Sequence, residues 1–122
     1  MDQRYVIGFE HLGMGDVDKV GGKNASLGEM LSHLTRLGVS VPGGFATTAD
    51  AYREFLGHDE LAGRITVELA KLDVEDVVAL AETGARIRQW IGEIPFPPAL
   101  GQSIREAYAA LVKQSGKEIS VA

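Results

Sequence analysis

Residues 20–30 read Val20-Gly21-Gly22-Lys23-Asn24-Ala25-Ser26-Leu27-Gly28-Glu29-Met30, a glycine pair and a lysine followed by the start of an amphipathic pattern. Gly21 and Gly22 have no Cβ and can adopt positive φ, so that backbone N–H groups approach an anion closely. Lys23 adds a full positive charge, and a helix beginning near Asn24 would point its first N–H groups at the same anion. The stretch therefore indicates a phosphate-facing turn.

The same residues have a plainer interpretation on local chemistry alone. A glycine pair also occurs where a chain simply turns, and Lys23 would then be a solvated surface charge. The spacing differs from the Walker pattern, in which Gly-Lys follows an earlier glycine at a fixed distance. The sequence around the turn is needed to choose between the two.

Helical spacing of apolar residues continues after this turn. The pattern predicts a first helix over about 25–37, ended by Gly38, from residues that recur every three or four positions: Leu27, Met30, Leu31, Leu34 and Leu37. Residues 47–50, Thr-Thr-Ala-Asp, are typical of a helix start and predict a second helix that ends at Gly57.

Three further helices are predicted in the second half of the chain. They cover about 60–71, then 74–91 opened by Asp73, and then a stretch from Pro97 or Pro98 to about Gln114 that Gly116 ends. The inner stripe of the 74–91 helix is predicted to comprise Val77, Leu80, Ala81, Gly84, Ile87, Trp90 and Ile91. The inward residues of the last helix are predicted to be Leu100, Ile104, Ala107, Tyr108 and Leu111.

Short strands are predicted near both ends of the chain. Residues 5–9, Tyr-Val-Ile-Gly-Phe, and residues 118–122, Glu-Ile-Ser-Val-Ala, have the composition or alternation of strands, and residues 39–46 form an extended segment with a Pro-Gly-Gly turn. We therefore expect an α+β fold, mostly α, with four to five helices. Because the last strand has no turn after it, we expect residues 1–122 to be a single partial domain, cut from a longer chain.

Composition narrows the function classes. The chain has 17 acidic and 12 scattered basic residues, which argues against a nucleic-acid surface, and it has no cysteine, which fits a reducing compartment. No apolar run is long enough for a membrane helix, so a cytoplasmic protein is expected. His11, His33 and His58 have no partner at ligand spacing, and no metal site is predicted.

Four segments resemble one family. They are residues 12–30, Leu-Gly-Met-Gly-Asp-Val-Asp-Lys-Val-Gly-Gly-Lys-Asn-Ala-Ser-Leu-Gly-Glu-Met, residues 39–51, Val-Ser-Val-Pro-Gly-Gly-Phe-Ala-Thr-Thr-Ala-Asp-Ala, residues 84–91 and residues 104–108. Together they resemble the amino terminus of the phosphoenolpyruvate synthases, also called pyruvate, water dikinases. A shorter form of the pattern is shared with pyruvate, phosphate dikinases and rifampicin phosphotransferases.

The resemblance implies the first subdomain of an ATP-grasp-type nucleotide-binding domain. Enzymes of this family convert ATP, pyruvate and water to AMP, phosphoenolpyruvate and phosphate through a phosphohistidine. Lys23 matches the family lysine that contacts ATP phosphates, and Gly21 and Gly22 would form its turn. ATP and Mg²⁺ are the implied cofactors. For Pro42, Gly44, Phe45 and Thr47 we expect packing and helix-capping roles, the alternative being contact with the ligand.

Much of the family's machinery has no counterpart in these 122 residues. The Val-Arg-Ser-Ser segment, the acidic metal ligands, the phosphohistidine and the pyruvate-binding barrel are all missing. We therefore expect no catalytic residue here, partnership with ATP and the remainder of the parent enzyme, and no dikinase activity from the chain alone. The alternative is a freestanding helical interaction or regulatory module without catalysis.

Overall fold

The computed structural model describes residues 4–116. Its elements, in chain order, are β1 (Val6–Gly8), α1 (Val17–Val20), α2 (Gly22–Arg36), β2 (Phe45–Thr47), α3 (Ala49–Gly57), α4 (Leu61–Lys71), α5 (Val77–Glu93) and α6 (Pro98–Ser115). Short 3-10 turns occupy Phe9–His11, Met14–Asp16 and His58–Glu60. The expected α+β, mostly helical class is confirmed. The strand predicted over 118–122 lies outside the described residues.

The small sheet joins the first strand to the extended segment. β1 pairs antiparallel with β2, with Ile7 opposite Ala46. The Phe9 N–H continues the ladder by donating to the Gly44 carbonyl at 3.0 Å. The extended segment predicted over 39–46 thus supplies the partner strand, because pairing with β1 satisfies backbone groups that a buried single strand would leave unbonded.

The chain divides into two compact units. One comprises Met1–Arg53 with Pro98–Ala122, and the other comprises Glu54–Pro97. The first unit contains the sheet and a core of small and aliphatic residues packed against Phe9: Ile7, Leu12, Val20, Ala25 and Ala46. In α6, Leu100 and Ala107 are buried, as the apolar pattern of that helix predicts.

The second unit corrects the prediction for the long helix. Asp76, not Asp73, caps α5, because its carboxylate accepts the Ala79 N–H at 3.1 Å, while Asp73 forms the preceding turn. Val77, Leu80 and Ile91 were predicted to lie on the inner side of this helix but are exposed. Thr83, which was not predicted to be inside, is buried. Among the described residues of this unit, α4 is the element that makes the main contact with α5. One short helix covers only one side of a 17-residue helix, which leaves the other apolar residues uncovered.

Trp90 of α5 is half-buried, and its ring face is occupied. The Arg64 guanidinium lies over the indole at 4.4 Å from the ring centroid, in a cation–π arrangement. Arg86, on the same helix, pairs with Glu68 of α4 at 3.3 Å. Across residues 4–116, no helix is both long enough and apolar enough to span a bilayer.

Candidate functional site

Gly21 and Gly22 have different roles at the start of α2. Gly21 has φ of 83° and ψ of 166°, which confirms the expected positive φ at this position. Gly22 is the first residue of α2, so the helix begins before the predicted start near Asn24 and Gly22 does not share the positive φ. The physical reason is that the Ala25 N–H already donates to the Gly21 carbonyl at 3.1 Å, closing the first helical turn over 22–24.

Lys23 therefore lies inside the first turn of α2, and its side chain is exposed. That turn contains no acidic residue, and Gly21 offers no side-chain cap. The amide of Asn24 points backwards, where its nitrogen donates to the Val20 carbonyl at 2.9 Å. The positive end of the helix and the lysine charge thus coincide without a counter-charge in the same turn. This arrangement favours an anion.

A comparison with the neighbouring lysine sharpens this point. Lys19 in α1 pairs with Asp16 at 3.5 Å. In the part of the chain that the structure describes, no such salt bridge involves Lys23. Of these two exposed lysines, Lys23 is the one that forms no salt bridge within residues 4–116.

The segment before Lys23 is held against α2 by a close backbone approach. A Cβ on Gly28 would lie 2.5 Å from both the Cβ and the carbonyl oxygen of Leu12, a separation that real Cβ atoms do not show. Two residues further on, the Met14 N–H donates to the Glu29 carboxylate at 3.1 Å. The Glu29 carboxylate also lies 3.3 Å from the His33 ring nitrogen. These contacts fix the start of the loop that leads to Lys23.

The residues expected to pack or cap behave differently from one another. Gly44 has a packing role, since a Cβ there would lie 2.6 Å from the Phe9 ring. Thr47 is exposed on β2 and does not cap α3. The cap is Thr48, whose hydroxyl accepts the Ala51 N–H at 3.1 Å and donates to the Arg4 carbonyl.

A cleft in the first unit was not predicted from the sequence. It has a volume of about 490 Å³ and is lined by residues of both charges together with Thr48, among them Arg4, Asp18, Lys19, Asp50 and Arg53. Asp50 and Arg53 pair with each other at 3.0 Å. Lys23 does not line this cleft. Within residues 4–116, no three His, Asp or Glu side chains come together as metal ligands.

Residues 17–122 match the family described as pyruvate phosphate dikinase, AMP/ATP-binding domain. The chain belongs to this family. The match includes Lys23 and all of α2, and it confirms the resemblance seen in the sequence.

Curated relatives from bacteria give the same result at high identity. The chain is 59% identical over 123 residues to a phosphoenolpyruvate synthase of Neisseria meningitidis, covering 100% of this chain and 16% of the relative. It is 61% identical over 107 residues to one of Pseudomonas aeruginosa, covering 88% of this chain and 14% of the relative. It is 58% identical over 106 residues to the phosphoenolpyruvate synthase of Escherichia coli, covering 87% of this chain and 13% of the relative. The chain thus spans only a small part of the length of these relatives.

Proposed function

We propose that this chain is the amino-terminal subdomain of the ATP-binding domain of a phosphoenolpyruvate synthase and that Lys23 binds ATP phosphates there. The observation that carries the proposal is an exposed lysine at the uncapped positive end of α2, in a chain of an AMP/ATP-binding family. Gly21 turns the chain into the helix, and Gly22 and Lys23 supply its first N–H groups. The domain as a whole would be of ATP-grasp type.

The proposed reaction of the parent enzyme converts ATP, pyruvate and water to AMP, phosphoenolpyruvate and phosphate through a phosphohistidine, in the cytoplasm. Lys23 would offset the negative charge that develops on the transferring phosphates, which is the main protein contribution to phosphoryl transfer. Mg²⁺ would neutralise further phosphate charge. Its ligands, the acceptor histidine and the pyruvate site would lie in other parts of the enzyme.

The alternative function, a freestanding interaction or regulatory module, is less well supported. Identity of 59% across the whole chain favours retention of the enzyme's role over a new one.

The test uses a full-length enzyme in which this chain replaces the matching 123-residue stretch of the Neisseria meningitidis relative. Lys23→Ala should lower kcat/KM for ATP by about 5- to 150-fold, which corresponds to the roughly 1–3 kcal/mol of a lost charge-assisted hydrogen bond. Lys23→Arg, which keeps the charge, should recover part of the loss. The readout is pyruvate-dependent AMP formation at varied ATP concentration.

Lys19→Ala is the matched control. Lys19 is an exposed lysine four residues earlier, already paired with Asp16, and its removal should change kcat/KM for ATP much less. Equal effects of the two alanine substitutions, or no effect of Lys23→Ala, would contradict the assignment.

A further inference from the structure

The side chain of Asn24 joins the end of α1 to the start of α2. Its amide nitrogen donates to the Val20 carbonyl at 2.9 Å, and the side chain is half-buried. Because a carbonyl oxygen only accepts, the NH₂ group of the amide is the part that faces Val20. Val20 is itself buried in the core of the first unit. The bond therefore ties the first turn of α2 to a fixed point of that core.

This bond spans a break between two helices that a single residue separates. α1 ends at Val20, α2 begins at Gly22, and Gly21 between them has a φ of 83°. In an unbroken helix the Val20 carbonyl would accept the backbone N–H of residue 24. Here the side chain of residue 24 bonds to that carbonyl. Asn24 thus stabilises the break at Gly21 relative to a continuous helix.

The break leaves two backbone donors at the start of α2. In a continuous helix the N–H groups of Gly22 and Lys23 would donate to the carbonyls four residues earlier. Within residues 4–116, no backbone carbonyl accepts either of these N–H groups. Both lie at the positive end of α2, in the turn that also carries the lysine charge. The break therefore keeps the donors and the charge together.

An amide suits this position better than a carboxylate does. Aspartate and glutamate are favoured in the first turn of a helix, since negative charge stabilises its positive end. A carboxylate at residue 24 would repel both the Val20 carbonyl and an incoming phosphate. The first turn of α2 contains no acidic residue. Asn24 thus fixes the corner between the helices without adding a charge that competes with an anion.

The corner needs such a bond because glycine does not hold it alone. Gly21 adopts either sign of φ at little cost, so its backbone does not set the direction in which α2 leaves α1. Lys23 lies two residues beyond Gly21 and moves with the first turn of α2. A displacement of about 1 Å at a contact with a reacting group is enough to slow a reaction strongly.

We propose that Asn24 is a positioning residue for the phosphate site. By bonding to the Val20 carbonyl it keeps the helix broken at Gly21 and directs Lys23 toward the ATP phosphates, without touching ATP itself. The proposal rests on the proposed function for the identity of the ligand. It adds a residue whose effect on ATP use passes through the direction of Lys23.

The first experiment measures the corner without nucleotide. It uses the full-length chimera, in which this chain replaces the matching stretch of the Neisseria meningitidis relative. Hydrogen–deuterium exchange, read by mass spectrometry for the peptide over 17–27, should be about 3- to 10-fold faster in Asn24→Ala, because one hydrogen bond that opposes opening is lost. An unchanged exchange rate would overturn the proposal.

Gln102→Ala is the matched control. Gln102 of α6 also donates from a side-chain amide to a residue four positions away, the Glu106 carboxylate, at 2.8 Å. Its removal should leave exchange over 17–27 unchanged. Equal acceleration by the two substitutions would show that the corner does not depend on the Asn24 bond in particular, and would overturn the proposal.

The second experiment separates positioning from a structural role. Asn24→Ala should lower kcat/KM for ATP by about 3- to 10-fold in the chimera. In a chimera that already carries Lys23→Ala, the same change should lower kcat/KM by less than about 2-fold, because residues that act through one another are not additive. A structural role alone would give the same factor with and without the lysine, and that result would overturn the proposal.

The two proposals fail separately. An inert Lys23→Ala would contradict the proposed ATP role, whatever the exchange rate over 17–27. A defective Lys23→Ala together with an Asn24→Ala that changes neither exchange nor kcat/KM would retain the ATP role and overturn the positioning role of Asn24.

Discussion

At the scale of single residues, small side chains decide how close the elements approach. Gly28 is in contact with the backbone of Leu12, and Gly44 with the ring of Phe9. Neither contact is a matter of φ, since neither glycine has a positive value. The absence of a Cβ lets the loop before α1 lie directly on α2. The close contact at Gly28 thus helps to position Lys23, which lies five residues earlier in the same helix.

Substitution of Gly28 by alanine should lower the free energy of unfolding by about 1–3 kcal/mol, because the new methyl group overpacks against the Leu12 backbone. The matched control is Gly63→Ala in α4, where nothing lies within 4 Å of the added Cβ. That change should raise stability by about 0.5–1 kcal/mol, the helix preference of alanine over glycine. Urea unfolding of the 122-residue chain measures both. The same sign for the two would contradict the close approach.

The residue scale also shows what the sequence reveals on its own. Lys23 and the positive φ of Gly21 follow from the order Gly-Gly-Lys before an apolar helical pattern. The helical state of Gly22 does not follow, because glycine permits either conformation and only the bond from Ala25 to the Gly21 carbonyl selects one. The burial of Ala25 and Gly28 was equally hidden, since the larger leucines of α2 dominate its pattern.

At the scale of elements, the caps determine where the helices begin. Thr48 joins three parts of the first unit, because its N–H donates to the Tyr5 carbonyl at 3.0 Å while its hydroxyl bonds to Ala51 and Arg4. It therefore fixes the start of α3 relative to the segment that enters β1. Sequence alone offered two adjacent threonines, and the pairing of β2 with β1 decides which one faces the helix.

Replacement of Thr48 by valine keeps the shape of the side chain and removes both hydroxyl bonds. The free energy of unfolding should fall by about 1–3 kcal/mol, since a cap is lost and a buried N–H is left without its acceptor. Thr47→Val, one residue earlier and exposed, should change stability by no more than about 0.5 kcal/mol. Thermal unfolding followed by circular dichroism compares the two, and equal losses would show that Thr48 does not act as the cap.

At the scale of the whole molecule, the helices differ in how many of their apolar residues are buried. Helix α6 buries Leu100 and Ala107 and half-buries its other predicted inward residues. Helix α5, by contrast, leaves Val77, Val78 and Leu80 exposed at 75%, 68% and 45%. The apolar pattern of α5 predicts its helical state correctly. It does not predict which side is covered, because that depends on where α4, its main contact in the second unit, lies along it. The periodic spacing of apolar residues shows that one face of a helix can be buried. That face is buried only if another element packs against it.

The chain on its own should form no AMP from ATP in the presence of pyruvate. Within residues 4–116 no set of acidic or histidine side chains is placed to hold a metal ion, and phosphoryl transfer depends on metal and acceptor being positioned together with ATP. The measurement is AMP formation by the 122-residue chain beside the full-length chimera at equal concentration. Turnover by the chain alone would contradict the division of labour proposed here.

The contact between Leu12 and Gly28 closes a loop whose two ends are fixed to each other, with Lys23 inside it. A loop held in this way cannot absorb an inserted or deleted residue by shifting its ends, so any length change would displace the lysine. Among relatives, insertions and deletions should be rare between positions 12 and 28. They should be tolerated in the exposed connection over 37–40, which joins α2 to the segment leading to β2.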